Sequence, residues 1–519
     1  MRLLNTCLKA LISLFIMMSS IPLLYSFRIN RMRVPNVLTL RKFAAAVEPP
    51  ATNPSQGIEE LRKIRIGKVA KMKEIGVNPY AYNFHSTHKS LDLQRLYESL
   101  KNGESDDSVT VSVAGRVMAK RVFGKLAFFD IVDDKGSIQA YLEKGVLPVD
   151  EYNKIREFSD SGDIIGVEGS IKRTDKGELS VLVKSWTMLT KSLLPLPDKF
   201  HGLTDVNKRY RQRHLDMISN PTTLHVLKTR SFIISSIRKF LDAQDFIEVE
   251  TPILENQPGG ADAKPFETHH NALNMNLTLR IATELHLKRL VVGGLHRVYE
   301  IGRIFRNEGL SPRHNPEFTS IELNQTYADF HDMMNLTEQM VSKIASNLNQ
   351  GSMKVQYGDQ TIDLSPPWRR VPMSVLVAES TGFDISPFLD SNDFESCKQA
   401  ALANGLPESL FESSTCVGDI LNSLFETVES SLQQPTFVTD YPLSVSPLAK
   451  PHRTNPHLTE RFELFITGKE IANAFTELTD PLDQRRRFEA QVAARMNQSN
   501  ERKDEVDEDF LQVLQSVII

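Results

Sequence analysis

Residues 296–330, HRVYEIGRIFRNEGLSPRHNPEFTSIELNQTYADF, constrain this chain more than any other stretch. Val298, Tyr299, Ile301, Ile304 and Phe305 lead in, and Phe318, Ile321, Leu323 and Tyr327 lead out. Between them, Asn307-Glu308-Gly309 and Pro312-Arg313-His314-Asn315-Pro316 carry turn chemistry. The pattern predicts two strands joined by a tight polar connection. Arg303, Arg306, Glu308, Arg313, His314, Glu317 and Glu322 crowd that one hairpin. Both signs of charge in one place suit a ligand that is itself anionic and cationic, such as a nucleoside triphosphate beside an amino acid. The competing reading is a solvated hairpin whose surface ion pairs contribute roughly 0–1 kcal/mol each.

The segment FRNEGLSPRHNPEFTSIEL resembles motif 2 of the class II aminoacyl-tRNA synthetases, and within them lysyl-tRNA synthetase. The likeness runs from about residue 58 to 514. It implies an α+β chain: an OB-fold barrel that binds the anticodon, then a class II catalytic domain built on an antiparallel sheet flanked by helices. It implies a two-step ligation. The carboxylate of lysine attacks the α-phosphate of ATP to give lysyl-adenylate and pyrophosphate, and the terminal adenosine of the lysine tRNA then takes the lysyl group. Mg2+ as cofactor and a homodimer are implied as well.

At 519 residues the chain has material for two or three domains. A net charge of −4 announces no basic field, so any RNA contact rests on local patches. Cys7, Cys397 and Cys416 offer neither a disulfide framework nor a Cys-rich zinc site. Residues 1–57 read as a leader and linker. An apolar run, LISLFIMMSSIPLL, follows Arg2 and Lys9 and is short for a membrane span. Arg28, Arg31, Arg33, Arg41 and Lys42 come next, with no acidic residue before Glu48. A signal followed by a transit peptide is the pattern of a plastid or apicoplast protein whose mature form has no membrane segment. A mitochondrial presequence and a membrane anchor are the alternatives.

Residues 58–105 form a helical extension. Leu61, Ile64, Val69 and Met72 recur at helical spacing opposite Arg62, Lys63, Arg65, Lys68, Lys71 and Lys73, a basic face for solvent or for phosphate. Residues 106–192 show five short strands with a helix after the third, the OB-fold order. The resemblance assigns Phe128, Gln139 and Glu178 to the anticodon. A Phe face stacks a splayed base, and amide and carboxylate groups read its edge. Phe128 and Phe129 point to opposite sides of a strand, and either could be the core residue.

Residues 193–519 match the catalytic domain. A helix over 225–244 and a strand stopped by Pro252 resemble motif 1, the family's dimer contact, or are simply a helix–strand unit. Pro258-Gly259-Gly260-Ala261 is a turn that backbone can bring close to a ligand. The resemblance assigns Gly260 and Glu284 to lysine. His269 and His270 lack a third ligand at useful spacing and read as loop residues rather than zinc ligands. Arg306 is assigned to the α-phosphate and the lysine carboxylate as the catalytic group. Glu308 is assigned to the adenine amino group, His314 and Asn315 to the phosphate side, and Phe318 to adenine stacking. Glu322 would pair with the ε-ammonium. The family has Tyr two residues later where this chain has Asn324, which removes a hydrogen bond of about 1–3 kcal/mol unless the amide replaces it. Residues 331–434 carry no assigned chemistry. Glu463 and Glu470, around Gly468, match carboxylates that hold magnesium, and Asn473, Phe475 and Glu477 complete the lysine pocket. Pockets for aspartate or asparagine would need a different charge from Glu322 and Glu477. After EVDEDFLQVLQ the resemblance implies a Gly-rich strand and an Arg-bearing helix, motif 3, where this sequence reads SVII. The expectation is an incomplete C-terminus, with a catalytically impaired tRNA-binding remnant as the alternative function.

Overall fold

The computed structural model describes residues 54–197, 203–261, 263–309, 314–498 and 506–516. The expected leader up to residue 53, Pro312 and Arg313 lie outside the described residues. The chain divides into two compact units that meet in sequence at Pro221 and Thr222.

The first unit opens with α1 (Pro54–Glu74) and α2 (Ser90–Leu96). Then come β1 (Ser105–Phe123), β2 (Leu126–Val132), β3 (Ser137–Glu143), α3 (Val149–Phe158), β4 (Ile164–Arg173) and β5 (Leu179–Thr190), followed by α4 (Val206–Arg211) and α5 (Arg213–Ser219). The five strands close a barrel in the order β1-β2-β3-β5-β4. Closure satisfies every strand edge, so the alternating side chains need only one apolar face. Phe129 fills that interior with no exposed surface, while Phe128 on the opposite face stays half-buried.

The first helix buries only the C-terminal part of its apolar stripe: Met72 is buried and Val69 half-buried, whereas Leu61 and Ile64 are exposed and Arg65 is buried instead. The guanidinium of Arg65 donates to the carbonyls of Ser161, Ser192 and Leu194. The Lys68 ammonium donates to Asp160 at 2.7 Å. Three carbonyls and a carboxylate offer a cationic face better partners than solvent does, so part of the basic stripe is structural.

The second unit begins with α6 (Pro221–Asp242), β6 (Ile247–Glu248), β7 (Leu254–Glu255), β8 (Glu267–His270), β9 (Met275–Leu279) and α7 (Glu284–Val292). The central hairpin is β10 (Arg297–Phe305) and β11 (Glu317–Gln325), followed by α8 (Phe330–Leu348). After it lie β12 (Lys354–Tyr357), β13 (Gln360–Asp363), β14 (Arg369–Pro372), α9 (Met373–Thr381), α10 (Ser386–Ser391), α11 (Phe394–Ala403) and α12 (Val417–Val428). The last elements are β15 (Thr436–Thr439), β16 (Arg461–Phe465), β17 (Glu470–Phe475), α13 (Pro481–Gln498) and α14 (Glu508–Ser516). One sheet runs β11-β10-β6 and another β14-β15-β16-β17, and both are mixed, with β6/β10 and β14/β15 parallel. The strand expected up to Pro252 shrinks to two residues. Val249 still donates its N–H to the Tyr299 carbonyl at 2.9 Å. Helix α8 lays Met334, Val341 and Ile344 on the core that also takes Tyr299, Phe437 and Phe462.

The two faces of β2 differ in how tightly they pack. Phe129→Ala should destabilise the protein by about 3–5 kcal/mol through an unfilled cavity, and Phe128→Ala by about 0.5–1.5 kcal/mol through lost ring contacts. Denaturant midpoints of the two variants check this.

Candidate active site

The register of β10 against β11 builds the site. Glu300 lies opposite Glu322, Gly302 opposite Ser320 and Ile304 opposite Phe318. Residues of this parity look away from the hydrophobic core, whereas Tyr299, Ile301, Ile321 and Leu323 pack into it. Phe318, Ser320, Glu322 and Asn324 therefore line a cavity of about 1420 Å³, generous for a ligand site.

Beneath the strands lies a buried ion pair that sequence reasoning missed. Arg280 donates from Nη1 to Glu300 Oε1 at 2.7 Å and from Nε to the Arg303 carbonyl at 2.9 Å. The hydroxyl of Thr251 donates to Glu300 Oε2 at 2.6 Å. Gly302 makes room for it, because a Cβ there would stand 2.3 Å from an Arg280 nitrogen. An apolar-patterned strand with a lone Gly and Glu was the only available signal.

Around the cavity, Arg306 lies 5.4 Å from the Phe318 ring centre, and its Nε donates to the Ile281 carbonyl at 3.3 Å. Gly260 has φ +82° and packs so close to Ala282 and Glu284 that a Cβ would sit 3.1–3.2 Å from theirs. Glu322 accepts the Thr283 N–H at 3.1 Å. Asn324 donates to Glu477 Oε1 at 3.2 Å. Lys288 bridges Glu284 and Glu477 at 2.6 and 2.7 Å and stands over Phe475. At the other end of the cavity wall, Arg461 holds Glu463 at 2.6 Å and donates to Asn473 at 3.2 Å, and Glu470 follows on the facing strand.

On the separate barrel, Phe128 meets Tyr141 edge-on at 5.1 Å and Phe123 at 6.1 Å. Lys172 stands 4.7 Å over Tyr141. Gln139 is buried and accepts from the Ser180 hydroxyl at 3.0 Å, and the exposed Glu178 lies two residues earlier. Tyr141 and Phe123 extend the aromatic surface beyond the residue that sequence named.

The tRNA synthetases class II (D, K and N) family model matches residues 205–518, and an OB-fold nucleic acid binding domain matches residues 111–189. The chain is 53% identical to a lysine–tRNA ligase of Trichormus variabilis, over 88% of this chain and 82% of that one. It is 55% identical to that of Parasynechococcus marenigrum, over 88% and 90%. The chain belongs to the class II lysyl-tRNA synthetases.

In this synthetase the cavity wall collects Gly260, Glu284, Arg306, Phe318, Glu322, Glu463, Glu470, Asn473, Phe475 and Glu477 from segments far apart in sequence. It does not collect Glu308, His314 and Asn315, which sit on the connection between β10 and β11, with Glu308 and His314 exposed. A hairpin tip is reached by a ligand, not by the strands that carry it, so these three lie outside the lining. His269 accompanies Asn276 at 2.9 Å on an exposed strand, and no cluster of three metal-ligating side chains occurs among the described residues.

Electrostatics separate the carboxylates. Burial, then the Glu284 charge, raises Glu322 above the ordinary carboxyl range, with the Thr283 N–H and Arg306 opposing. Burial pushes Glu477 up to about 7 against the pull of Lys288. Burial, then the Glu463 charge, pushes Glu470 up to about 8. Burial works against the Lys288 charge, yet Glu284 and Glu477 outweigh it and hold the ammonium above its usual range.

A carboxyl raised on folding makes the native state bind more protons than the unfolded chain, so stability falls as pH rises between the two values. The ligand-free synthetase should lose thermal stability as pH climbs from the ordinary carboxyl range toward neutrality. Glu322→Gln should flatten that loss. Melting temperature against pH for both proteins checks the sign.

Proposed function

We propose that this synthetase activates L-lysine with ATP and transfers it to the lysine tRNA, and that the residues above do so by positioning and charge. The observation that carries this reading is that Arg306 lines one cavity together with an acidic group (Glu284, Glu322 and Glu477) and the Glu463–Glu470 pair. The guanidinium of Arg306 carries donors for both the lysine carboxylate and the α-phosphate. It stabilises charge that develops on phosphorus as the carboxylate attacks. Phe318, beneath it, offers a ring face to adenine. Glu322 and Glu477 take the ε-ammonium, Phe475 lies along the aliphatic stem, and the Asn473 amide faces the α-amino end, with Gly260 and Glu284 completing the pocket. No side chain acts as nucleophile; holding the two reactants together does the work.

Glu463 and Glu470 fit a divalent cation, because the two carboxylates repel one another and Arg461, 2.6 Å from Glu463, offsets only part of their charge. Magnesium favours a few carboxylates plus phosphate oxygens, and when bound it neutralises the triphosphate. The barrel supports tRNA recognition through Phe128, with Gln139 and Glu178 as the further anticodon contacts. Exposed Phe232, Ile247 and Leu254, on and after α6, support pairing with a second copy. Residues 1–57 support an organellar destination, a plastid before a mitochondrion. No helix among the described residues is long and apolar enough to cross a membrane. The remnant alternative leaves the convergent cavity without a role.

The purified mature chain should catalyse lysine-dependent exchange of pyrophosphate into ATP, with aspartate and asparagine inert as competitors. tRNA binding without exchange would favour the remnant. Arg306→Ala should lower kcat by about 10²–10³-fold, the scale of a lost oxyanion donor. Phe128→Ala should weaken tRNA binding by about 1–3 kcal/mol, the scale of one lost base stack, as filter binding would measure.

A further inference from the structure

The cavity contains a cation that the reaction above does not use. Lys288, on the first turns of α7, is 8% exposed, and its ammonium lies between Glu284 Oε1 at 2.6 Å and Glu477 Oε2 at 2.7 Å. The Phe475 ring centre is 5.3 Å away, and the Phe510 ring of α14 covers it at 5.9 Å. From β11, Glu322 and Asn324 face the same space, and Asp507, just before α14, lines it too. A buried ammonium needs its own counter-charge, and here it takes two carboxylates that the substrate also needs.

The charges close only when this residue is included. Glu284, Glu322 and Glu477 bring three negative charges, and Lys288 offsets one. L-lysine brings two ammonium groups, while its carboxylate faces Arg306. With Lys288 the acidic end is neutral once substrate binds; without it, one carboxylate is left over. We propose that Lys288 is a specificity residue that sets this end of the cavity to accept an amino acid with two ammonium groups without taking up a proton. The proposal rests on the lysine-ligase reading and adds to it the reason that a resident lysine sits in a lysine pocket.

Removing the resident charge should couple substrate binding to protonation. In Lys288→Met, lysine binds only when one of the three carboxylates is protonated. Its KM in pyrophosphate exchange should therefore rise about tenfold per pH unit above neutrality, as one-proton linkage requires, with kcat changing less. The wild type should show no rise over the same range: as Glu322 and Glu477 give up the protons they hold in the empty site, KM falls or levels. Lys288→Arg keeps the charge and should likewise show no rise, whatever its absolute KM. A KM that does not rise with pH in Lys288→Met, with a melting curve like wild type, overturns the assignment. Should the Met variant not fold, the Arg variant decides: a KM that does not rise supports the assignment, and a rising one overturns it. Wild-type exchange that does not depend on lysine overturns the ligase reading instead, so the two failures are distinguishable.

Discussion

The antiparallel pairing of Glu300 with Glu322 is the constraint on which the catalytic unit depends. Two acidic side chains directly opposite one another on one sheet face repel. The fold resolves this by giving them different fates. Glu300 is neutralised within the protein by Arg280 and Thr251. Glu322 is left with a backbone N–H and the open cavity. An acid that the protein declines to neutralise is one that a ligand can.

The same division recurs along the cavity. Glu463 is held by Arg461, whereas the neighbouring Glu470 is raised by burial and by that neighbour. Glu284 and Glu477 share one ammonium between two carboxylates. Each pair is compensated in part, and under the proposed function the deficit in each fits a charge that lysine or a metal–nucleotide complex would bring. Polar groups that would be costly in an empty core are thereby organised for occupancy. The barrel follows simpler physics: its inward side chains pack, and its outward aromatics lie open for stacking.

Much of this was legible from residue order because it depends on local period and turn chemistry. The two strands of the central hairpin, the barrel's strand–helix order and the strands around Gly468 follow from alternation broken by turn residues. The illegible parts are those where distant residues compete. Spacing set the basic residues of α1 toward solvent or phosphate, but the carbonyls of residues 161, 192 and 194 hold Arg65 inside while Leu61 and Ile64 stay exposed. Nothing along the chain marks Arg280 as the neighbour of Gly302, twenty-two positions on, whose missing side chain leaves room for its guanidinium.

Residue order alone determined the family, the succession of barrel and catalytic unit, and the chemical types that crowd the site, because short-range pattern and motif spacing are written along the chain. Tertiary structure decided which of two adjacent phenylalanines faces outward, which carboxylates are neutralised internally and which stay available. It alone brought Lys288 between Glu284 and Glu477. The reason is that charge compensation depends on distance in space, and residues 284, 322 and 477 become neighbours only after the strands have paired.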